Sequence, residues 1–212
     1  MRLYLSSFQL GNHPEELVRL VGENKKCGVI VNAADFFSET ERRERLDRQI
    51  ANMHGLGFQA EELDLRNYFG KSEKLEEDLK QYGLLWVKGG NAFVLKRAIE
   101  QTGFEMIIRR MLGKDSIVYA GYSAGVCVAA PTLKGLELVD DSSQVPDGYP
   151  ADFSWDGMNL INYTIVPHYK SEHPESERID TVIEYLKEND LPYKALYDGQ
   201  VIIVNDEKEE II

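Results

Sequence analysis

Cysteine and long apolar runs are scarce in this sequence, and basic residues are outnumbered by acidic ones. Its 212 residues include two cysteines, Cys27 and Cys127, too few for a disulfide framework in a chain of this size. There are 24 basic and 36 acidic residues, a net charge of −12, which argues against nucleic acid or an anionic membrane as a partner. No apolar run approaches the roughly 20 residues that span a bilayer.

The opening apolar run is also short. It turns polar at Ser6, which leaves too few apolar residues for a signal peptide, so we expect a cytoplasmic protein. With 43% hydrophobic residues the chain can bury one core, and we expect one catalytic domain over residues 1–212. The composition leaves a homodimer open.

Short apolar runs alternate with longer amphipathic segments along most of the chain. Strands are predicted at residues 3–5, 27–31, 58–63, 84–87, 116–120, 160–166, 193–197 and 201–204. Helices are predicted between most of them, for example at 40–54, where Leu46, Ile50 and Met53 share one face. This alternation predicts an α/β fold, a mainly parallel sheet with helices on both faces.

Two stretches depart from that alternation. Residues 134–157 are rich in turn formers and are predicted to be a long excursion within the domain. The last two predicted strands lie on either side of Asp198-Gly199, a turn dipeptide. Residues 41–45, with the sequence E-R-R-E-R, are predicted to be a solvated helix face.

The segment from Gly121 to Gly125 reads G-Y-S-A-G and follows an apolar strand. This G-x-S-x-G pattern is typical of a nucleophile elbow, a tight strand-to-helix turn that exposes a serine hydroxyl. Glycines flank the serine because side chains there would clash in so sharp a turn. The pattern predicts a hydrolase with Ser123 as its nucleophile.

A serine hydroxyl needs a base to take its proton, and histidine is the usual one. Of the four histidines, His168 directly follows a predicted strand, whereas His13, His54 and His173 lie in a loop or at helix ends. The carboxyl ends of parallel strands line the site in such folds, so His168 is the predicted base.

The base needs an acid to orient it, and three aspartates compete for this role. Asp198 follows a predicted strand and is preferred for that reason. Asp152 and Asp156 lie between Ser123 and His168 in the chain, which is the order found in α/β-hydrolases, but both fall in the excursion.

A third requirement is a group of donors for the developing oxyanion. The glycine pair before Asn91 follows a strand and precedes a predicted helix, so the amide of Gly90 is one candidate. The amide of Ala124, next after the nucleophile, is the other. The histidines show no metal-binding spacing, so no metal is predicted.

Three motifs occur in a fixed order: V-K-G-G-N-A-F, Y-A-G-Y-S-A-G and V-P-H-Y. Together they resemble the peptidase E family of aspartyl dipeptidases, and the resemblance implies a class I glutamine amidotransferase-like fold. By position it implies Ser123 as nucleophile, His168 as general base, and Gly90 and Ala124 as oxyanion donors. Asp198 falls where the family has a glutamate.

The resemblance further implies a cofactor-free serine peptidase that cleaves small peptides, including N-terminal aspartyl dipeptides, through an acyl-enzyme. The family's substrate-binding arginine follows the histidine, but the corresponding stretch here is shorter and more acidic. Asn91, Lys170 and Arg178 are the candidate substrate-binding residues. Two alternatives stay open: an esterase or amidase for a non-peptide substrate, and a catalytically inert binding module of the same fold.

Overall fold

A seven-stranded sheet with the order β3-β2-β4-β5-β1-β8-β9 forms the centre of the computed structural model, which describes all 212 residues. Its first five strands in that order are parallel, and β8 and β9 are antiparallel to their neighbours. The strands are β1 (Arg2–Ser6), β2 (Lys26–Ile30), β3 (Gln59–Glu62), β4 (Leu84–Val87), β5 (Val118–Tyr122), β8 (Val201–Asn205) and β9 (Lys208–Ile211).

Helices cover both faces of the sheet, as predicted. They are α1 (Pro14–Val21), α2 (Glu39–Gly55), α3 (Ser72–Leu79), α4 (Ala92–Thr102), α5 (Phe104–Gly113), α6 (Ala124–Cys127) and α7 (Ser176–Glu188). Helices α1 and α2 pack on one face in a core of 16 buried residues, and α3 to α6 contribute to a core of 40 on the other. The predicted α/β fold class is therefore confirmed. None of the helices combines the length and apolar character needed to cross a membrane.

Helix α2 is fixed at its start and along its inner face. Ser38 and Glu41 form a capping box that satisfies free amides of the first turn. Leu46 and Met53 are fully buried against the sheet, and Gln49 accepts a hydrogen bond from Trp86 Nε1 at 2.9 Å. This packing holds the middle of α2 close to the carboxyl end of β4.

The last predicted strands are present, but they lie in different sheets. Strand β7 (Tyr193–Ala195) pairs in parallel with β6 (Thr164–Val166) in a separate two-stranded sheet. Strand β8 instead lies antiparallel beside β1 in the main sheet. The Asp198-Gly199 turn therefore connects two sheets. Strand β9 was not predicted, because its sequence lacks a strong apolar pattern.

The predicted excursion packs against α4 and its N-terminal cap. It contains a short 3₁₀ turn, Leu136–Leu138, and one isolated bridge between Thr132 and Asp156 joins its flanks. The buried guanidinium of Arg97 anchors it by donating hydrogen bonds to the carbonyls of Ser142, Pro150 and Ala151. Those bonds hold the segment against the rest of the fold.

Candidate active site

The chain makes a strained turn at Ser123, between β5 and α6. Ser123 has φ 50° and ψ −122°, a conformation that costs free energy for any residue with a side chain. A Cβ atom at Gly121 or Gly125 would lie 2.5 or 2.3 Å from the carbonyl oxygen of Val87. The two glycines of the motif are therefore needed for the close approach of β4 to the turn.

His168 and Asp198 meet beyond the ends of the small sheet. His168 follows β6, Asp198 follows β7, and the parallel pairing of these strands brings both residues to the same end. His168 Nδ1 lies 2.9 Å from Asp198 Oδ1. The imidazole is fully buried, and its Nε2 has no hydrogen-bond partner in the protein, which leaves that nitrogen available to accept a proton. Asp152 and Asp156 are exposed and make no such bond.

Ser7, directly after β1, forms hydrogen bonds with all three predicted triad residues. It was not predicted from the sequence. Its hydroxyl donates a hydrogen bond to Asp198 Oδ1 at 2.8 Å and accepts one from the backbone amide of His168 at 2.9 Å. Its carbonyl accepts a hydrogen bond from the backbone amide of Ser123 at 3.2 Å. Ser7 therefore connects the three segments that carry the predicted triad residues.

A second histidine packs on the first. The rings of His168 and His173 are stacked, with centroids 3.8 Å apart and planes inclined by 11°. Burial, and secondarily the neighbouring His173, lowers the pKa of His168, although Asp198 opposes the shift. The lowered pKa keeps His168 neutral, and thus able to act as a base, at neutral pH.

The stacking also bears on metal binding. Ligand atoms of His168, His173 and Glu175 lie within 4.8 Å of one another. Each imidazole nitrogen binds a metal along its lone pair, in the plane of its ring, and stacked rings hold those planes parallel. One ion cannot lie in both planes, so this arrangement does not favour a metal site.

Ser123 and His168 line one cavity of about 510 Å³ at the carboxyl edge of the sheet. The cavity carries opposite charges: three of its lining residues are cationic at neutral pH, and three others have carboxyl groups. The cationic residues are Arg45, Arg48 and Lys88, and the acidic residues are Asp140, Asp141 and Glu175. Burial raises the pKa of Asp140 to about 7. The cavity thus suits a small ligand with charged groups of both signs.

The predicted oxyanion donors are the backbone amides of Gly90 and Ala124. Gly90, at φ 149°, packs so closely against the segment after β2 that a Cβ atom would lie 2.3 Å from Ala33 O. Gly90 lines the cavity, and Ala124 follows Ser123 at the start of α6. Neither amide donates a turn or loop hydrogen bond, so both are available as donors.

The candidate substrate-binding residues are only partly assembled. Asn91 lines the cavity, but its side chain caps α4, accepting hydrogen bonds from Phe93 N and Val94 N and donating one to Asp141 O. Lys170 lines a different cavity, which Asp198 also lines. Arg178 lines neither of these two cavities. The structure therefore does not bring Lys170 and Arg178 to Ser123.

The predicted solvated face of α2 needs correction. Arg42 is buried and forms ion pairs with Asp35 at 2.5 Å and Glu62 at 2.7 Å, and Arg45 lines the same cavity as Ser123. The periodic pattern of charges is that of an exposed helix, but α2 packs with this part of its polar side against the edge of the sheet. Arg43, in contrast, is exposed as predicted.

We expect Asp198→Asn to lower turnover on the order of 10²-fold with little loss of stability, because an amide can favour the wrong imidazole tautomer. Asp156→Asn is the matched control and is expected to be nearly silent, since Asp156 is exposed and makes no bond to His168. Turnover and thermal unfolding of both variants test this. Unchanged turnover in Asp198→Asn, together with a large loss of turnover in Asp156→Asn, would contradict the assignment of Asp198 as the acid that orients His168.

Comparison with known proteins identifies the class. Over 151 residues, 71% of this chain and 69% of the relative, the sequence is 28% identical to an uncharacterized peptidase of Pasteurella multocida. Over 136 residues, 61% of this chain and 52% of the relative, it is 30% identical to peptidase E of Streptomyces coelicolor. The protein is a serine peptidase.

The family follows from a longer match. The model of Peptidase family S51 matches residues 16–212, and the chain belongs to this family. A crystal structure from Listeria monocytogenes, provisionally assigned as peptidase E, superposes with a TM-score of 0.81 at 18% identity, covering 100% of this chain and 97% of the other. At that identity the likeness concerns the fold alone.

Proposed function

We propose that this peptidase hydrolyses small peptides through an acyl-enzyme formed on Ser123. Ser123 Oγ attacks the carbonyl carbon of the scissile bond while His168 Nε2 takes the hydroxyl proton. The amides of Gly90 and Ala124 donate hydrogen bonds to the resulting oxyanion. His168 then passes the proton to the leaving amine, and the carbon–nitrogen bond breaks.

Water completes the cycle in the same site. His168 Nε2 takes a proton from the water as its oxygen attacks the acyl carbon, and returns that proton to Ser123 Oγ as the ester bond breaks. Asp198 holds the Nδ1 proton of His168 throughout and stabilises the imidazolium. No cofactor takes part in this proposed sequence.

One observation carries the proposal: the buried imidazole of His168 is held by Asp198 through Nδ1 while its Nε2 lacks a partner. A histidine oriented in this way has the tautomer that a serine nucleophile needs. The cavity volume of about 510 Å³ favours a small substrate over a folded protein. We further propose that the enzyme works in the cytoplasm, which two free, buried cysteines support.

A fluorophosphonate probe tests the proposal. We expect it to label the protein at Ser123, as located by mass spectrometry of the adduct, because the probe reacts with activated serines. A panel of dipeptides and simple esters then separates the activities. Labelling with hydrolysis of esters but of no peptide would favour the esterase alternative, and absence of both labelling and hydrolysis would favour the inert module.

A further inference from the structure

Ser7 uses its main chain and its side chain for different connections. Its backbone amide donates a hydrogen bond to Gln200 O at 3.0 Å, and its carbonyl accepts one from the amide of Ser123. Its hydroxyl instead bonds to the amide of His168 and to the carboxylate of Asp198. A change of side chain alone would therefore remove the bonds to His168 and Asp198 and keep the two main-chain bonds.

The Ser7 hydroxyl proton has two acceptors within reach. The hydroxyl oxygen already accepts a hydrogen bond from the His168 amide, so its own proton is free to be donated. Asp198 Oδ1 lies 2.8 Å from Ser7 Oγ, and Leu196 O lies 3.3 Å from it. The closer acceptor is also the ionised one, and hydrogen bonds to ionised groups are the stronger. The proton is therefore donated to the carboxylate.

Two donors thus meet at one oxygen of Asp198. Asp198 Oδ1 accepts hydrogen bonds from His168 Nδ1 and from Ser7 Oγ, and no other group of the protein donates to this carboxylate. The Asp198 side chain is 23% exposed, so water competes for the same lone pairs. Ser7, in contrast, is fully buried. Without its hydroxyl, only the imidazole itself would hold the carboxylate in place.

His168 depends on the end of β1 in two further ways. Its backbone has φ 60°, in the left-handed region, which costs free energy for a residue other than glycine and persists only where neighbouring groups hold it. The bond from its amide to Ser7 Oγ is one such support. The other is Phe8, whose ring packs edge-on against the His168 ring with centroids 5.6 Å apart.

We propose that the Ser7 hydroxyl is a positioning group of the active site, which holds the Asp198 carboxylate against His168 Nδ1 and the His168 main chain in its strained conformation. Ser7 does not line the cavity that contains Ser123, so it acts through these two residues and not on the substrate. The inference rests on the proposed peptidase function and adds one residue to its machinery.

Hydrolysis of aspartyl-leucine by Ser7→Ala tests the proposal. We expect kcat to fall about tenfold with KM little changed, because a hydrogen bond to a charged group is lost outside the cavity. Ser7→Cys, which keeps a side chain of similar size but is a weak donor, should lose as much. Ser6→Ala is the matched control: its hydroxyl is equally buried but bonds only to Phe8 O, and kcat should stay within about twofold.

A double-mutant cycle separates positioning from packing. In the Asp198→Asn background, we expect Ser7→Ala to lower kcat by no more than about twofold, since the carboxylate on which it acts is already absent. Independent, multiplying losses from the two substitutions would overturn the proposal. Full kcat in Ser7→Cys, or a loss in Ser6→Ala as large as that in Ser7→Ala, would overturn it as well.

NMR of the His168 ring makes the test independent of turnover. The titratable groups around this ring are Asp198, the stacked His173 and Glu175, and Ser7→Ala alters none of them. We expect the Nδ1 proton resonance of His168 to move upfield in Ser7→Ala and to exchange faster with water. The pKa of His168 should fall further, because Asp198, which raises it, is held less firmly.

The two readouts fail separately. An unchanged Nδ1 resonance and an unchanged pKa of His168 in Ser7→Ala would overturn the proposal while leaving the peptidase function intact. If the wild-type protein neither reacts with the fluorophosphonate probe nor hydrolyses a dipeptide, but both NMR quantities change in Ser7→Ala, the positioning role of Ser7 would be supported and the proposed function contradicted.

Discussion

Ser123→Ala is expected to lower kcat/KM for peptide hydrolysis by about 10³-fold or more, because the variant lacks the oxygen that forms the acyl-enzyme. The fold should persist, since alanine removes one hydroxyl that makes no hydrogen bond within the protein. We expect no gain in stability, because alanine keeps the strained backbone at φ 50°. Steady-state kinetics and thermal unfolding of the purified variant provide the measurement.

The control for this experiment is Ser143→Ala, a serine in the excursion whose hydroxyl bonds only to Asp141 at an exposed site. We expect it to retain activity within about threefold, as surface substitutions usually have small effects. Retained turnover in Ser123→Ala, with unchanged stability, would show that another group is the nucleophile.

His168→Ala is expected to cause a loss of similar size, on the order of 10³-fold, because residues that act as one unit give comparable losses when removed singly. His173→Phe keeps an aromatic ring against His168 and removes the second imidazole, so it should cost at most about tenfold. The comparison of kcat/KM for the two variants tests which histidine is the base. A larger loss from His173→Phe would reverse the assignment.

The pH profile provides a second measurement on the same group. His168 must be neutral to accept a proton, and burial lowers its pKa below the usual value of 6.5. Activity of the wild-type enzyme should therefore persist through pH 6.5 and fall only as the pH drops further, through the lowered pKa of His168. Loss of activity already above pH 7 would contradict a buried, neutral base.

The sequence was sufficient to predict the fold class and to select Ser123, His168 and Asp198 as candidates. It was sufficient because the signals for these residues lie in the sequence directly around each of them. Each follows or ends an apolar strand, and a turn motif marks the serine. The structure places His168 against Asp198 and both of these beside Ser7, but their roles in catalysis stay predictions. For His168 and Asp198 the strand-end rule works because the parallel strands β6 and β7 present the same end to the same edge.

Neither Ser7 nor Arg45 could be predicted from the sequence in this way, and the reasons differ. Ser7 also follows a strand, but its importance depends on β1 lying next to β5, an order that apolar periodicity does not specify. Arg45 depends on how α2 is rotated about its axis, and a run of charges looks the same whether it meets water or a cavity. Lys170 and Arg178 were predicted from their position after His168, but it is His173 and Glu175, between them in the chain, that line the cavity.

The hydrogen bonds of Ser7 also determine when the proposed site can form during folding. They connect residues 161 and 191 positions apart, so the proposed triad cannot form from any single stretch of chain. Contacts of such separation form only after long loops have closed. A chain still emerging from the ribosome would thus lack the proposed triad until Asp198 is synthesised and folded against Ser7.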